Sequence, residues 1–140
     1  HMNLTFEYKL DENWSPFMKL GKSYFAAQSH YNEAFTHANL GMRYYMTPQK
    51  IFTPFVSAGF GIYQRSALPF NRFIPETFDQ SYYQSGLAAG VTYYVDQARK
   101  IGIEASLNYN YFYSDRMDGV QRGNYNDFYW QGNVGVSFSF

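Results

Sequence analysis

The sequence predicts an all-β protein, an antiparallel up-and-down transmembrane β-barrel, and three observations support this prediction. Seven segments alternate between apolar and polar side chains, with the period of two residues that marks a β-strand. The connections between them alternate between short and long, as in a meander of hairpins. Aromatic residues make up 22% of the chain although its mean hydropathy is −0.45, which suits a barrel in which every second side chain faces lipid.

Composition excludes several other classes of protein. The 140 residues suit a single domain spanning 1–140, and the absence of cysteine excludes disulfides and thiolate metal sites. Eleven basic and eleven acidic residues give a net charge of zero, so no nucleic-acid partner is expected. No run of about 18 apolar residues occurs, so a transmembrane helix is not expected.

The first three segments each place apolar side chains on one face. Leu4 alternates with Thr5 in the first, Leu20 with Lys19 in the second, and Leu40 lies on the apolar face of the third. Helical periodicity does not compete with this alternation. In chain order the seven segments are predicted at 3–10, 14–25, 34–46, 52–63, 82–95, 101–113 and 127–140.

The later segments repeat the pattern and end in the strongest strand signal of the chain. Val56 alternates with Ser57 in the fourth segment, and Leu107 lies on the apolar face of the sixth. The last segment, 127–140, is longer than the five or six residues usual in soluble proteins. It matches the roughly 9–11 tilted residues that cross a bilayer core, with some overhang.

The connections carry a prediction about topology. The short ones, 11–13, 47–50 and 96–100, are expected to be periplasmic turns, and the long ones, 26–33, 65–80 and 114–126, extracellular loops. Seven strands then break the even number that is usual in such barrels, so we expect a further strand before Asn3, outside this sequence. Without it, the outermost strands should close directly, pair edge to edge with another copy, or accept a strand from a partner.

Two kinds of barrel fit this pattern: a soluble calycin-like barrel with an apolar interior, and a membrane barrel with an apolar exterior. Many glycines lie on the polar face, where they suit a crowded, curved interior. Only 16% of the residues are charged, which is low for a barrel whose whole outside is wet. Aromatic residues gather near both ends of the apolar face, as at the two boundaries of a bilayer. The membrane alternative is therefore favoured.

Three stretches carry a resemblance to a known family. They are F-V-S-A-G-F-G at 55–61, G-L-A-A-G-V-T-Y-Y at 86–94 and N-V-G-V-S-F-S-F at 133–140. The chain resembles the OmpA/OmpX-type small outer-membrane β-barrel family along nearly its whole length. This resemblance implies a Gram-negative outer-membrane location and roles in anchoring or adhesion. The final strand, with Phe138 and Phe140, resembles the signal read by the outer-membrane assembly machinery, which would be a partner.

Charged residues on the polar face are the first candidates for a site. Arg43 and Glu104 lie in mid-strand, where a buried charge without a partner would be costly. We expect an interior ion-pair network in which Glu7 and Lys19 also take part. An ion pathway or gate is the functional alternative, but the interior of so small a barrel is filled by side chains, so a plug is expected.

Catalysis, metals and cofactors are not expected. His37 faces inward and could act as a base. The resemblance makes the outer-membrane lipid A deacylases a relevant comparison, and in these enzymes the catalytic His and Ser lie close together on one strand. No serine accompanies His37 on its predicted strand. The acidic segment that includes Asp115 and Asp118 lacks the ligand order of an EF-hand. We therefore expect no enzyme activity, no bound metal and no cofactor.

The segment 65–80 is unusually apolar for a loop, through Phe70, Phe73, Ile74 and Phe78. Exposed apolar surface of this kind indicates a partner, a lipid contact or a cap over the barrel mouth, and the sequence leaves the three open. The predicted function is that of a plugged outer-membrane barrel that anchors and presents loops for adhesion or partner binding. The alternatives are a soluble barrel with a small hydrophobic ligand and a membrane-embedded lipid-modifying enzyme.

Overall fold

A computed structural model describes residues 2–27, 31–48, 50–66, 81–113 and 128–140, with the side chains of 24–27, 31–34, 65 and 66 outside this description. The regular elements of this part of the chain are seven β-strands. They are β1 (Met2–Glu7), β2 (Trp14–Ala27), β3 (Tyr31–Tyr45), β4 (Phe52–Ser66), β5 (Ser81–Tyr94), β6 (Ile101–Phe112) and β7 (Phe128–Ser139).

The seven strands form one closed barrel in sequence order. Each strand pairs antiparallel with the next, and β1 closes the sheet by pairing parallel with β7. The predicted all-β barrel is confirmed, and of the three outcomes expected for the outermost strands the structure has direct closure. Among the described residues no eighth strand contributes to the barrel. The further strand predicted before Asn3 concerns residues outside this sequence and stays a prediction.

The parallel pair that closes the barrel is continued past the end of β1. Its register pairs Met2 with Val134 and Glu7 with Ser139. Two further backbone hydrogen bonds follow, from the Phe140 N–H to the Glu7 carbonyl at 3.0 Å and from the Lys9 N–H to the Phe140 carbonyl at 3.1 Å. The chain end therefore takes part in the closure.

Side-chain polarity is inverted relative to a soluble barrel. Thr5 and Arg43 are completely buried and most of the other buried side chains are polar. Many large apolar side chains point away from the barrel, and 65% of Leu40 and 67% of Trp130 are exposed, although several aromatic side chains are buried inside. The alternation in the sequence thus separates a polar interior from an apolar exterior.

Acidic side chains organise two of the connections between strands, 8–13 and 95–100. The Asp11 carboxylate accepts hydrogen bonds from the backbone N–H groups of Asn13 and Trp14, both at 2.7 Å. The Asp96 carboxylate accepts hydrogen bonds from the backbone N–H groups of Lys100 and Ile101, and Arg99, which precedes Lys100, adopts a left-handed φ of 54°. Because the first connection already begins after Glu7, the predicted first strand at 3–10 is too long.

The second connection was predicted wrongly. Residues 26–33 were expected to form a long loop, but β2 continues to Ala27, β3 begins at Tyr31, and these two residues are paired. The hydrogen-bonded ladder extends beyond the region in which apolar and polar residues alternate. Hydrophobic periodicity therefore underestimates the length of this hairpin.

The glycines at two positions should respond differently to an added methyl group. A Cβ at Gly41 would meet the Ala58 carbonyl oxygen and lie 2.7 Å from the Phe17 ring, whereas one at Gly132 would meet open space. We expect Gly41→Ala to lower the free energy of unfolding by about 1–3 kcal/mol, since overpacking strains the wall. Urea unfolding measures this, with Gly132→Ala as the control that should unfold like the parent. Equal midpoints for the two variants would contradict the close approach of β3 and β4.

Stability should depend on pH through Asp96, which lies in a turn. Backbone hydrogen bonds, first of all from Ile101, lower the pKa of Asp96 from its ordinary value of 3.8. Because the folded pKa is the lower one, the stabilisation is complete above pH 3.8 and is lost as the pH falls through the folded pKa. Thermal melts should show a gap in Tm between the parent and Asp96→Ala that is constant at neutral pH and closes in acid. A gap that widens in acid would contradict this assignment.

Candidate functional site

The barrel interior is layered along its axis. Charged side chains lie toward the end that carries the connections 8–13, 46–51 and 95–100, which we call the turn end. Amides, a histidine and small residues fill the middle. Four aromatic side chains, Phe35, Tyr63, Tyr82 and Phe112, form a buried cluster toward the opposite end.

Four charged side chains meet near the turn end, and we call them the ion cluster. Arg43 lies at its centre, with Nη2 2.9 Å from Oε2 of Glu104 and Nη1 3.4 Å from Oε2 of Glu7. Lys19 joins the cluster through Nζ, 3.6 Å from Oε1 of Glu104. The structure thus brings together the predicted site residues Arg43, Glu104, Glu7 and Lys19. All four side chains are almost fully buried.

Hydroxyl groups add hydrogen bonds to the two carboxylates. The Tyr45 and Ser139 hydroxyls donate to Glu7 at 2.7 Å, and the Thr5 hydroxyl donates to Glu104 at 2.8 Å. The Arg43 guanidinium also lies over a ring, with Cζ 3.9 Å from the Phe55 centroid. The tyrosine, serine, threonine and phenylalanine were not predicted as part of this network, because their contacts depend on strand register.

The ion cluster is electrically neutral and connects distant parts of the wall. Two cations face two carboxylates, which is the condition under which charges can be buried. Its members come from β1, β2, β3 and β6, and the Ser139 hydroxyl adds β7. The cluster therefore holds the β1–β7 closure from inside the barrel.

The middle of the interior contains a serine–histidine–asparagine chain. Oγ of Ser23 lies 3.1 Å from Nδ1 of His37, and Nε2 of His37 lies 2.9 Å from Oδ1 of Asn3. The asparagine oxygen is an acceptor, so it requires the proton on Nε2 and leaves Nδ1 to accept from the serine hydroxyl. The sequence did not reveal this pair, because the two side chains become neighbours only through the β2–β3 register that pairs Gly21 with His37.

The hydrogen-bonded Ser23–His37–Asn3 chain resembles a catalytic nucleophile with its base, but the contacts around it are those of a structural network. Ser23 is completely buried, and its hydroxyl also accepts a hydrogen bond from Nε2 of Gln131 at 3.2 Å. The His37 ring is stacked on Tyr63 with centroids 4.7 Å apart. A reacting group would have to displace these contacts before it could reach the serine.

One small space lies inside the described part of the barrel. A space of about 30 Å³ is lined by residues that include Phe17, Lys19, Gln84 and Asn108. It has room for water, whereas sites for small organic ligands take about 300–1,000 Å³. Beyond it the aromatic cluster is packed edge to face, with Tyr63 and Phe112 centroids 5.1 Å apart.

The remaining predicted site residues lie elsewhere. Phe138 is stacked on Phe6 on the outside, with centroids 5.6 Å apart, and Phe140 is exposed at the turn end. The loop residues Phe70, Phe73, Ile74 and Phe78 lie outside the described residues. In the part of the chain that the structure describes, no three His, Asp or Glu side chains are grouped as metal ligands would be.

Comparison with known proteins gave no match to any family model, curated protein or solved structure. Among the described residues, no helix has the length and apolar character needed to cross a membrane.

Replacing Arg43 by Met should destabilise the barrel strongly. The change removes the cation that lies 3.4 Å from the buried Glu7 and leaves Glu104 with Lys19 alone among its salt-bridge partners in the described residues. Breaking a buried pair in this way typically costs about 3–5 kcal/mol. Urea unfolding of Arg43→Met, with Lys100→Met in an exposed turn as the control, measures the cost.

The same variant tests whether the ion cluster acts as a gate. We expect planar-bilayer recordings to show no steady current for the parent or for Arg43→Met, since side chains also fill the layers above the cluster. A steady current through the parent protein would contradict the plug.

Proposed function

We propose that this chain is a non-enzymatic bacterial outer-membrane β-barrel that anchors itself in the bilayer and presents extracellular loops for adhesion or partner binding. The observation that carries the proposal is the inverted polarity of the barrel. Most of the buried side chains are polar, among them Arg43 and Glu104, whereas large apolar side chains such as Leu40 and Trp130 are exposed on the outside. In water such an exterior would be a very large exposed apolar surface, which monomeric soluble proteins rarely carry.

The distribution of aromatic side chains on the exterior also supports the proposal. Trp14 contacts Tyr44 near the turn end, with ring centroids 4.9 Å apart. Tyr109 contacts Trp130 toward the opposite end, with centroids 5.1 Å apart. Smaller aliphatic side chains, such as that of Ala58, lie between them. Amphipathic rings at both ends of an apolar band are typical of the two boundaries of a bilayer.

Closure of the sheet is a third point in favour of a membrane location. A spanning structure must pair its backbone polar groups internally, since hydrocarbon offers them no partner. A closed barrel does this, and here the β1–β7 pair removes the two edges that an open sheet would have.

The filled interior favours an anchor over a channel or a carrier. The ion cluster and the aromatic cluster occupy the lumen at different heights, and the space of about 30 Å³ described above is large enough for water but not for a small organic ligand. A soluble barrel for a hydrophobic ligand would need an apolar cavity, whereas most of the buried side chains in the described interior are polar or charged. Binding would then depend on the loops, and delivery to the membrane on the assembly machinery that reads the last strand.

A lysine introduced on the outer face of the barrel tests whether lipid or water surrounds the wall. Leu40 is exposed in the middle of β3. If lipid surrounds it, Leu40→Lys should cost about 2–4 kcal/mol in vesicles. Reversible urea unfolding from phosphatidylcholine vesicles measures this, with Leu10→Lys in the first turn as the control. If the two variants have the same stability in vesicles, the wall does not face hydrocarbon.

The enzymatic alternative has one observation in its favour, the Ser23–His37–Asn3 chain. Because Ser23 is completely buried, we expect an alkyl fluorophosphonate probe not to label the folded barrel in detergent or in vesicles. Labelling of the parent protein that disappears in Ser23→Ala would contradict the non-enzymatic proposal. Unfolded protein serves as the control for labelling that does not depend on the fold.

A further inference from the structure

An open groove of about 670 Å³ runs along the outside of the barrel, and we call it the exterior groove. Its size lies within the range of about 300–1,000 Å³ that small-molecule sites occupy. The walls are aromatic, Trp14 with Tyr44 on one side and Tyr109 with Trp130 on the other. Its floor is formed by Ala58 and Ala89 together with other small and aliphatic residues of β4 and β5.

Strand register explains the course of the exterior groove. One row of paired residues leads from Trp14 through Tyr44, Val56 and Ala89 to Leu107. Trp14 begins β2 beside the first turn, whereas Leu107 lies well into β6. Because the strands are staggered, the groove climbs diagonally from the turn end toward the opposite end. It thus joins the two aromatic regions of the wall across its thickness.

The lining of the exterior groove restricts what can occupy it. None of the lining side chains is charged, and the surface they present is almost wholly apolar. A peptide would bring backbone N–H and C=O groups for which this lining offers hardly any partner. An occupant without charge and without hydrogen-bonding groups matches the lining.

A second copy of this chain fits the exterior groove poorly. In a two-fold dimer the same patch contacts itself, so two concave floors around Ala58 and Ala89 would face each other across a void. Unfilled space loses dispersion contacts on both sides. Gly132, which pairs with Leu107, also faces open space, since a Cβ there would meet nothing within 4 Å. A flexible hydrocarbon chain can fill such a groove.

We infer that the exterior groove binds one acyl chain of a membrane lipid, and this inference rests on the proposed membrane location. The chain lies over Ala58 and Ala89 between the two pairs of aromatic rings. The groove is continuous with the apolar exterior, so a lipid enters it laterally. This makes one lipid a fixed part of the barrel surface, distinct from the lipids that exchange around it.

Intrinsic fluorescence can test this inference directly. The chain has two tryptophans, Trp14 and Trp130, and both line the exterior groove. The folded barrel in detergent micelles is titrated with phosphatidylcholine that carries brominated acyl chains, which quench tryptophan on contact. We expect quenching that saturates near one lipid per barrel. Random mixing in the micelle would give quenching that rises in proportion to the lipid fraction.

Filling the floor provides the matched comparison. The double variant Ala58→Phe and Ala89→Phe should lose the saturating phase, whereas Ala105→Phe, exposed on β6 outside the exterior groove, should retain it. Proportional quenching of the parent, or saturation that persists in the double variant, would overturn the inference. So would a dimer in which both tryptophans are shielded from the lipid.

Flotation with vesicles separates this inference from the proposed function. If the parent protein floats with vesicles but its quenching in micelles is proportional, only the acyl-chain site is wrong. If the folded parent protein does not associate with vesicles at all, the proposed membrane location is wrong.

Discussion

Closure of the sheet between β1 and β7 is the constraint on which the rest of the structure depends. Six antiparallel pairs in a row leave the first and seventh strands pointing the same way, so the closing pair is parallel. Closure by so few strands leaves a narrow lumen, and the inward side chains must fill it without gaps. The glycines of the inner face follow from this crowding. At Gly41, for example, the neighbouring strand leaves no room for a Cβ.

The ion cluster connects this closure to the chemistry of the interior. Glu7 forms the last pair of the β1–β7 ladder with Ser139. The Ser139 hydroxyl also donates a hydrogen bond to the Glu7 carboxylate. Arg43 reaches Glu7 and Glu104 from β3, on another part of the wall. The buried charge of Arg43 is tolerated because carboxylates lie 2.9 and 3.4 Å from its guanidinium. The same arrangement makes the closing pair depend on side chains distant in sequence.

Much of the fold could be predicted from the sequence, since each strand carries its own alternation. Leu4 with Thr5 and Val56 with Ser57 assign faces correctly without any knowledge of their neighbours. The opposite charges of Arg43 and Glu104 on inward positions suggested a pair before register was known. Strand ends were predicted less well, because the paired backbone at Ala27 and Tyr31 continues where hydrophobic alternation has stopped.

Relations between strands could not be predicted from single segments. The Ser23–His37–Asn3 chain and the hydroxyl partners of Glu7 depend on how β1, β2, β3 and β7 are staggered, and alternation does not specify stagger. The exterior groove has the same origin, because its two aromatic walls lie on strands far apart in the chain. Register is set by packing and closure of the whole barrel, which is why these features emerge only from the structure.

The most direct test of a wall that faces hydrocarbon is a scan along β4 by electron paramagnetic resonance. The chain has no cysteine, so single cysteines at Phe55, Val56, Ser57, Ala58 and Phe60 can each carry one spin label. In vesicles, labels at Val56, Ala58 and Phe60 should collide strongly with oxygen, which concentrates in hydrocarbon, and weakly with a water-soluble nickel chelate. Labels at the inward positions should collide weakly with both. A scan in which the outward positions collide mainly with the nickel chelate would contradict the membrane-spanning account.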